Sequence, residues 1–230
     1  MLSGAVILAA KPACANDLWR SALVMGTGRP GGYFALYGPE WGQLASRAAG
    51  VQIAYRASGG AAADILLIEQ NTTQLGMTTV TVAEEALNGH GNWTAGVKFR
   101  AFRALFPMFP AALQIVSPHM TGIATLAGLA DQVVGIGPDG GSGAASLPGI
   151  LASVGVLPKR VETGDFDVQM RDMQAGKLAA CAFIGAPPLP AIAQVALHNK
   201  LSLIGFSEAE AAQVARAVPG MSRMILKPGA

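Results

Sequence analysis

Charge is scarce in this chain. Asp, Glu, Lys and Arg make up 13% of its 230 residues, and the net charge is only +2. Lysine and arginine form no cluster, which argues against nucleic acid as a partner. Apolar residues reach 51% and mean hydropathy is +0.40, yet no apolar run approaches the roughly 18 residues that span a bilayer. Cysteine is nearly absent, with Cys14 and Cys181 alone. His90, His119 and His198 are few and far apart, and no zinc-ligand spacing connects them. No nucleophile, base and acid fall into a recognisable catalytic order. These absences point away from a metal, a cofactor and an enzyme. What remains is an apolar-rich α/β chain, long enough for one or two domains with a proper core and punctuated by 29 glycines and 14 prolines.

The first residues read as an export signal. Leu2 to Ala10 is a short apolar block, and Ala13-Cys14-Ala15 has the small-x-small form of a secretory cleavage site. Residues 1–15 are therefore expected to be removed, placing the mature chain in the periplasm. Cys181 is then the one cysteine left, so no disulfide forms within the chain and the fold must rest on its core.

From Leu23 onward, strand and helix patterns alternate. Leu23–Met25 reads as a strand, Phe34–Ala49 as a helix, Val51–Tyr55 as a strand and Ala61–Gln70 as a helix. Gln74–Val80 is expected to form a third strand, followed by a helix through Ala83–Leu87, and further strands are expected at Phe102–Phe106 and Leu113–Val116. A second unit of the same kind starts after Ser117-Pro118. Its strands fall at Val133–Ile136, Val161–Thr163, Ala179–Ile184 and Leu201–Ile204, with helices at Thr125–Asp131, Ala144–Val154, Asp167–Ala175 and Pro190–His198. Ser207 with Glu210 makes a capping box for a last helix. The pattern predicts α/β architecture with mostly parallel sheets flanked by helices.

Glycine-rich turns close the strands that matter most. Gly26-Thr27-Gly28-Arg29-Pro30-Gly31-Gly32-Tyr33 leaves main-chain N–H groups uncovered at the start of a helix, a setting that suits a carboxylate or phosphate. Ser58-Gly59-Gly60 and Pro138-Asp139-Gly140-Gly141-Ser142-Gly143 repeat the device. Two lobes with such turns at strand C-termini imply a ligand in the cleft between them, provided that the turns face each other. Other readings stand beside this one. Gly26-x-Gly28-x-x-Gly31 also fits a dinucleotide fingerprint with Arg56 as a phosphate reader, or a purely structural turn, and Gly140-x-Ser142-x-Ala144 is close to a nucleophile elbow. Tyr33 and Tyr37 share a helical face and suit either core or site, and Cys181 reads as a core residue.

Taken in order, Gly26-Thr27-Gly28-x-x-Gly31-Gly32-Tyr33, Ser58-Gly59-Gly60, Gly137-x-x-Gly140-Gly141-Ser142-Gly143 and Gly185-Ala186-Pro187 resemble the TAXI family. Ile123-x-x-Leu126-Ala127-Gly128-Leu129 and Met224-Ile225-Leu226-Lys227-Pro228-Gly229-Ala230 add to the likeness. These are solute-binding proteins of TRAP transporters. The resemblance implies a two-lobed type II periplasmic-binding fold, with lobe 1 at residues 16–116, lobe 2 at 117–203 and an incomplete return to lobe 1 at 204–230. It places hinge crossings near Ser117 and Leu203. It further implies a monomer that captures a small anionic solute such as glutamate, glutamine or a dicarboxylate and hands it to a membrane permease. The solute's carboxylate would face N–H groups after Gly28, Gly59 and Ser142. Thr27, Gly31, Tyr33, Tyr37, Ser58, Thr78, Thr79, Gly143, Ala144 and Pro187 complete the implied site, with Arg29 or Arg56 as charge partner. A Rossmann-type oxidoreductase and a ligand-sensing subunit are the alternative functions.

Overall fold

The computed structural model describes residues 22–226. The expected export signal at residues 1–15, with Cys14, and the end of the last motif, Lys227 to Ala230, lie outside the described residues.

The first lobe begins with β1 (Ala22–Gly26), α1 (Tyr33–Ala49) and β2 (Gln52–Arg56). The strands pair in parallel from Ala22 opposite Gln52 to Gly26 opposite Arg56. The helix ends at Gly50, whose φ of 65° reverses the chain without a Cβ penalty. Next come α2 (Ala61–Glu69) and α3 (Val80–Asn88). Ala61, Ile65, Val82 and Ala86 form their shared core.

Two expected strands of this lobe do not form. At Gln74–Val80 only a single parallel bridge, Leu75 to Met25, survives. The Met77 N–H, which a longer ladder would need, is instead taken by the Asp64 carboxylate at 3.0 Å. The stretch Phe102–Phe106 is irregular. Pro107 and Pro110 follow it closely and withhold donors, and the Arg103 guanidinium turns back onto the Arg100 and Phe102 carbonyls.

The second lobe is built on five strands in the order β5 (Arg160–Glu162), β4 (Val133–Gly135), β6 (Ala180–Gly185), β3 (Ala112–Pro118), β7 (Leu201–Ile204). The β4 strand is parallel to both neighbours, whereas β3 runs antiparallel to both of its own. Helices cover each face: α4 (Ser142–Ser153) on one, and α5 (Phe166–Gln174) with α6 (Pro190–Ala196) on the other. Alternation along β6 explains this division. Ala180 and Ala182 join Leu147 and Leu151 of α4, while Cys181 and Phe183 join Met170 and Met173 of α5. Each fully buried Leu, Ile or Met of this kind contributes about 1.5–3 kcal/mol. The last helix, α7 (Glu208–Ala217), carries the expected capping box, with the Glu210 N–H donating to Ser207 and the Ser207 N–H donating to Glu210. Beyond it, Gly220 reaches the main chain of Thr81.

Candidate functional site

The glycine turns do face each other. A Cβ on Gly59 would stand 2.3 Å from the Asp139 carbonyl, and one on Gly60 would stand 2.9 Å from the Gly141 Cα. That approach lets the Gly140 carbonyl reach the first turn of α2, where it accepts from the N–H groups of Ala62 at 2.9 Å and Ala63 at 3.0 Å. One lobe thus supplies the acceptor that the other's helix N-terminus needs. Two side-chain contacts reinforce it. The Ser146 hydroxyl of α4 donates to Glu85 of α3 at 3.1 Å, and Arg29 stands 3.6 Å from Asp165 with both about half exposed. Glu85 also accepts from the Trp93 indole at 2.7 Å. Burial pushes its carboxyl above the ordinary value, and these two hydrogen bonds oppose the shift.

Between the turns lies a cavity of about 50 Å³, lined from both lobes. That is room for roughly three waters, so a larger solute enters only if the walls part. Gly28, Tyr33, Gly59, Thr79, Ser142 and Gly143 of the expected site line it. The first turn of α4 has three N–H groups, those of Ser142, Gly143 and Ala144, with no carbonyl available within the helix. A wider groove of about 740 Å³, running past Val80, Phe206 and Ile225, is lined by none of the three turns.

The other expected residues are placed around this cavity without lining it. Thr27 is buried and spans to the Arg56 carbonyl through both its N–H and its hydroxyl. Gly31 rests against Phe166. Tyr37 packs edge-on against Phe109, with ring centroids 5.2 Å apart. Thr78 has a buried hydroxyl without a hydrogen-bond partner, Ala144 packs on the core beside Leu147, and Pro187 belongs to the turn after β6, where its bond to Pro188 is cis. The Ser58 hydroxyl accepts the Gly28 N–H at 2.9 Å. The Gly28 N–H, and those of Ala62 and Ala63 beyond Gly59, are therefore already engaged by Ser58 and Gly140.

Behind the first turn sits Asp64, 1% exposed. Its Oδ2 accepts the Met77 N–H, and its Oδ1 accepts no hydrogen bond of ordinary geometry. Burial pushes this carboxyl up to about 6, against the opposing pull of the Ser58 hydroxyl and the Met77 N–H. A Cβ on Gly26 would lie 2.1 Å from Asp64 Oδ1, so the first glycine of the fingerprint makes room for this acid.

Several contributors carried no sequence signal. Phe109 packs among Tyr33, Phe34 and Tyr37, and Phe166 meets Phe183 edge-on at 5.0 Å; both line the cavity. Two buried glutamines shape the second lobe's turns. Gln169 accepts the Gly137 N–H at 2.8 Å and donates to the Glu162 carbonyl at 2.6 Å, while Gln114 accepts the Leu189 N–H at 3.0 Å and donates to the Gly185 carbonyl at 3.2 Å. Cys181 is a core residue whose thiol donates to the Gln169 carbonyl at 3.5 Å, and burial pushes it up to about 12. Among the described residues no group of His, Cys, Asp and Glu could hold a metal ion, and no helix is long and apolar enough to cross a membrane.

A two-lobed α/β chain with a shared cavity at facing glycine turns invites comparison with known proteins. Residues 25–230 match the NMT1-like family. The chain belongs to that family. Solved structures agree on the fold. This NMT1-like protein superposes on the substrate-binding protein of an amino acid ABC transporter with a TM-score of 0.56 at 11% identity, over 82% of this chain and 80% of that one. The alkanesulfonate-binding protein SsuA from Xanthomonas axonopodis pv. citri, bound to MOPS, gives 0.58 at 15% identity, over 82% and 62%. The GluR0 ligand-binding core from Nostoc punctiforme, in complex with L-glutamate, gives 0.57 at 16%, over 81% and 80%. The fold of this NMT1-like chain is that of the type II periplasmic-binding proteins.

Proposed function

We propose that this chain is the extracytoplasmic solute-binding subunit of a TRAP transporter of the TAXI kind. It captures a small carboxylate between its lobes in the periplasm and delivers it to a membrane permease. One observation carries the reading: the N-terminus of α4, with its three N–H groups and the Ser142 hydroxyl, opens onto a cavity walled by both lobes. A carboxylate seated there meets donors from α4 while its body touches α1 and the loop at Phe109. Only the closed arrangement offers both sets of contacts, so binding favours closure. The pairing of β3 with β6 from Ala112 onward, and of β7 with β3 as far as Ile204, supports crossings between lobes just outside those residues. The solute-binding neighbours support the reading by fold. Against a nucleotide site stand the occupation of the Gly28 N–H by Ser58 and of the Gly26 approach by Asp64.

A thermal-shift screen on the full chain tests this, with small carboxylates as probes and NAD and NADP as controls. A ligand at 100 times its Kd stabilises by about 2.7 kcal/mol, which for a chain of this size is a rise of roughly 5–10 °C. A shift with an acid and none with nucleotides supports the reading. A shift with nucleotides alone overturns it.

A further inference from the structure

We propose that the solute is a carboxylate with an apolar body and no ammonium group, and not an amino acid. This rests on reading the cleft as a solute site and concerns what the site excludes. Among the described residues, the one charged side chain that lines the cavity is Arg29. A desolvated ammonium needs a carboxylate or several carbonyls, and every nearby acid is committed or turned away. Asp165 faces Arg29, Glu85 takes the Trp93 and Ser146 donors, and Asp64 lies behind β1 against Met77. Asp139 is exposed, and its main-chain carbonyl is the atom that approaches Gly59.

The donors suit an anion. The N–H groups of Ala62 and Ala63 are held by the Gly140 carbonyl and that of Gly28 by Ser58. The Arg29 charge is already met by Asp165. Donors remain at the first turn of α4 and at that of α1, whose Tyr33 and Phe34 also line the cavity, and the Ser142 side chain, in a residue only 8% exposed, lines it with no hydrogen-bond partner of its own. Phe34, Phe109, Phe166, Ile136, Ile184 and Leu189 also line the cavity, a set that suits a hydrocarbon or aromatic body.

Calorimetric titration of the full chain with matched pairs isolates the ammonium: 3-phenylpropanoate against L-phenylalanine, 4-methylpentanoate against L-leucine, and glutarate against L-glutamate. At least one apolar acid is expected to bind about tenfold or more tightly than the amino acid of the same skeleton, and more tightly than glutarate. Ser142→Ala should weaken that acid about tenfold while leaving the melting curve in place. An amino acid that binds as tightly as its deaminated partner overturns the inference and leaves the solute-binding reading standing. Tighter binding of glutarate overturns the apolar body. If the chain melts cooperatively and none of the six binds, the inference and the carboxylate reading fall together.

Discussion

Acidification should stabilise this protein between pH 7 and pH 5, and Asp64 should be the main reason. Its carboxyl rises from the ordinary 3.8 to about 6 on folding because it is buried behind β1. An acid raised in this way holds its proton more firmly in the native chain than in the unfolded one. Native stability therefore grows as pH falls through 6, levels off below 3.8, and is lost again as pH rises through 6. The full difference is worth about 3 kcal/mol, of which roughly 1.3 kcal/mol accrues between pH 7 and pH 5. Glu85 is raised as well and adds to the slope in the same direction. The comparison that isolates Asp64 is therefore between the wild type and Asp64→Asn, whose amide oxygen can still accept the Met77 N–H. Urea unfolding at pH 7, 6 and 5 should show the wild type gaining on the variant by about 1.3 kcal/mol over the range, or roughly 3–5 °C in Tm. Parallel pH profiles for the two proteins, within about 0.5 kcal/mol, would refute the assignment.

Three further substitutions have expected outcomes. Gly59→Ala places a methyl 2.3 Å from the Asp139 carbonyl; it should cost the contact between lobes about 1–3 kcal/mol, seen as weaker solute binding in calorimetry and a larger radius of gyration by X-ray scattering. Gln169→Leu, at a site 3% exposed, strands the Gly137 N–H and the Glu162 carbonyl and should lower stability in urea by about 2–4 kcal/mol; a loss below about 1 kcal/mol would show that the turn finds other partners. Ser207→Ala removes the α7 cap and should cost about 1 kcal/mol in urea with solute affinity unchanged.

Local pattern carried most of the architecture. The alternation at Leu23–Met25 and Val51–Tyr55, the helical spacing after Phe34 and Ala61, and the Ser207–Glu210 box each depend on neighbours within a few residues, and each was legible. The strand expected at Gln74–Val80 failed because a distant side chain, Asp64, captured the Met77 N–H. The glycine turns were legible too, and Gly28, Tyr33, Gly59, Thr79, Ser142 and Gly143 converge on one cavity. Their present partners were not legible, since the bonds from Ala62 and Ala63 to Gly140 join segments far apart in the chain. Phe109 and Phe166 stand alone in irregular stretches with no period to mark them. Gln114 and Gln169 were missed because amides normally face water, and only the turns that they pin give them a reason to be inside.

The bond between the lobes at Gly140 and α2 is made entirely of main-chain atoms. No side-chain exchange can delete its acceptor, and alanine scanning passes over it, since Ala62 and Ala63 are alanines already. Mutation can reach it by bulk, through the glycines that let the two turns approach, or by removing a donor outright. Proline is the one residue that lacks the N–H, and the first turn of a helix accepts it. Ala62→Pro withdraws one of the two donors holding the halves together, though at a position 2% exposed its ring also presses on the core that Ala62 shares with Ile65 and Val82.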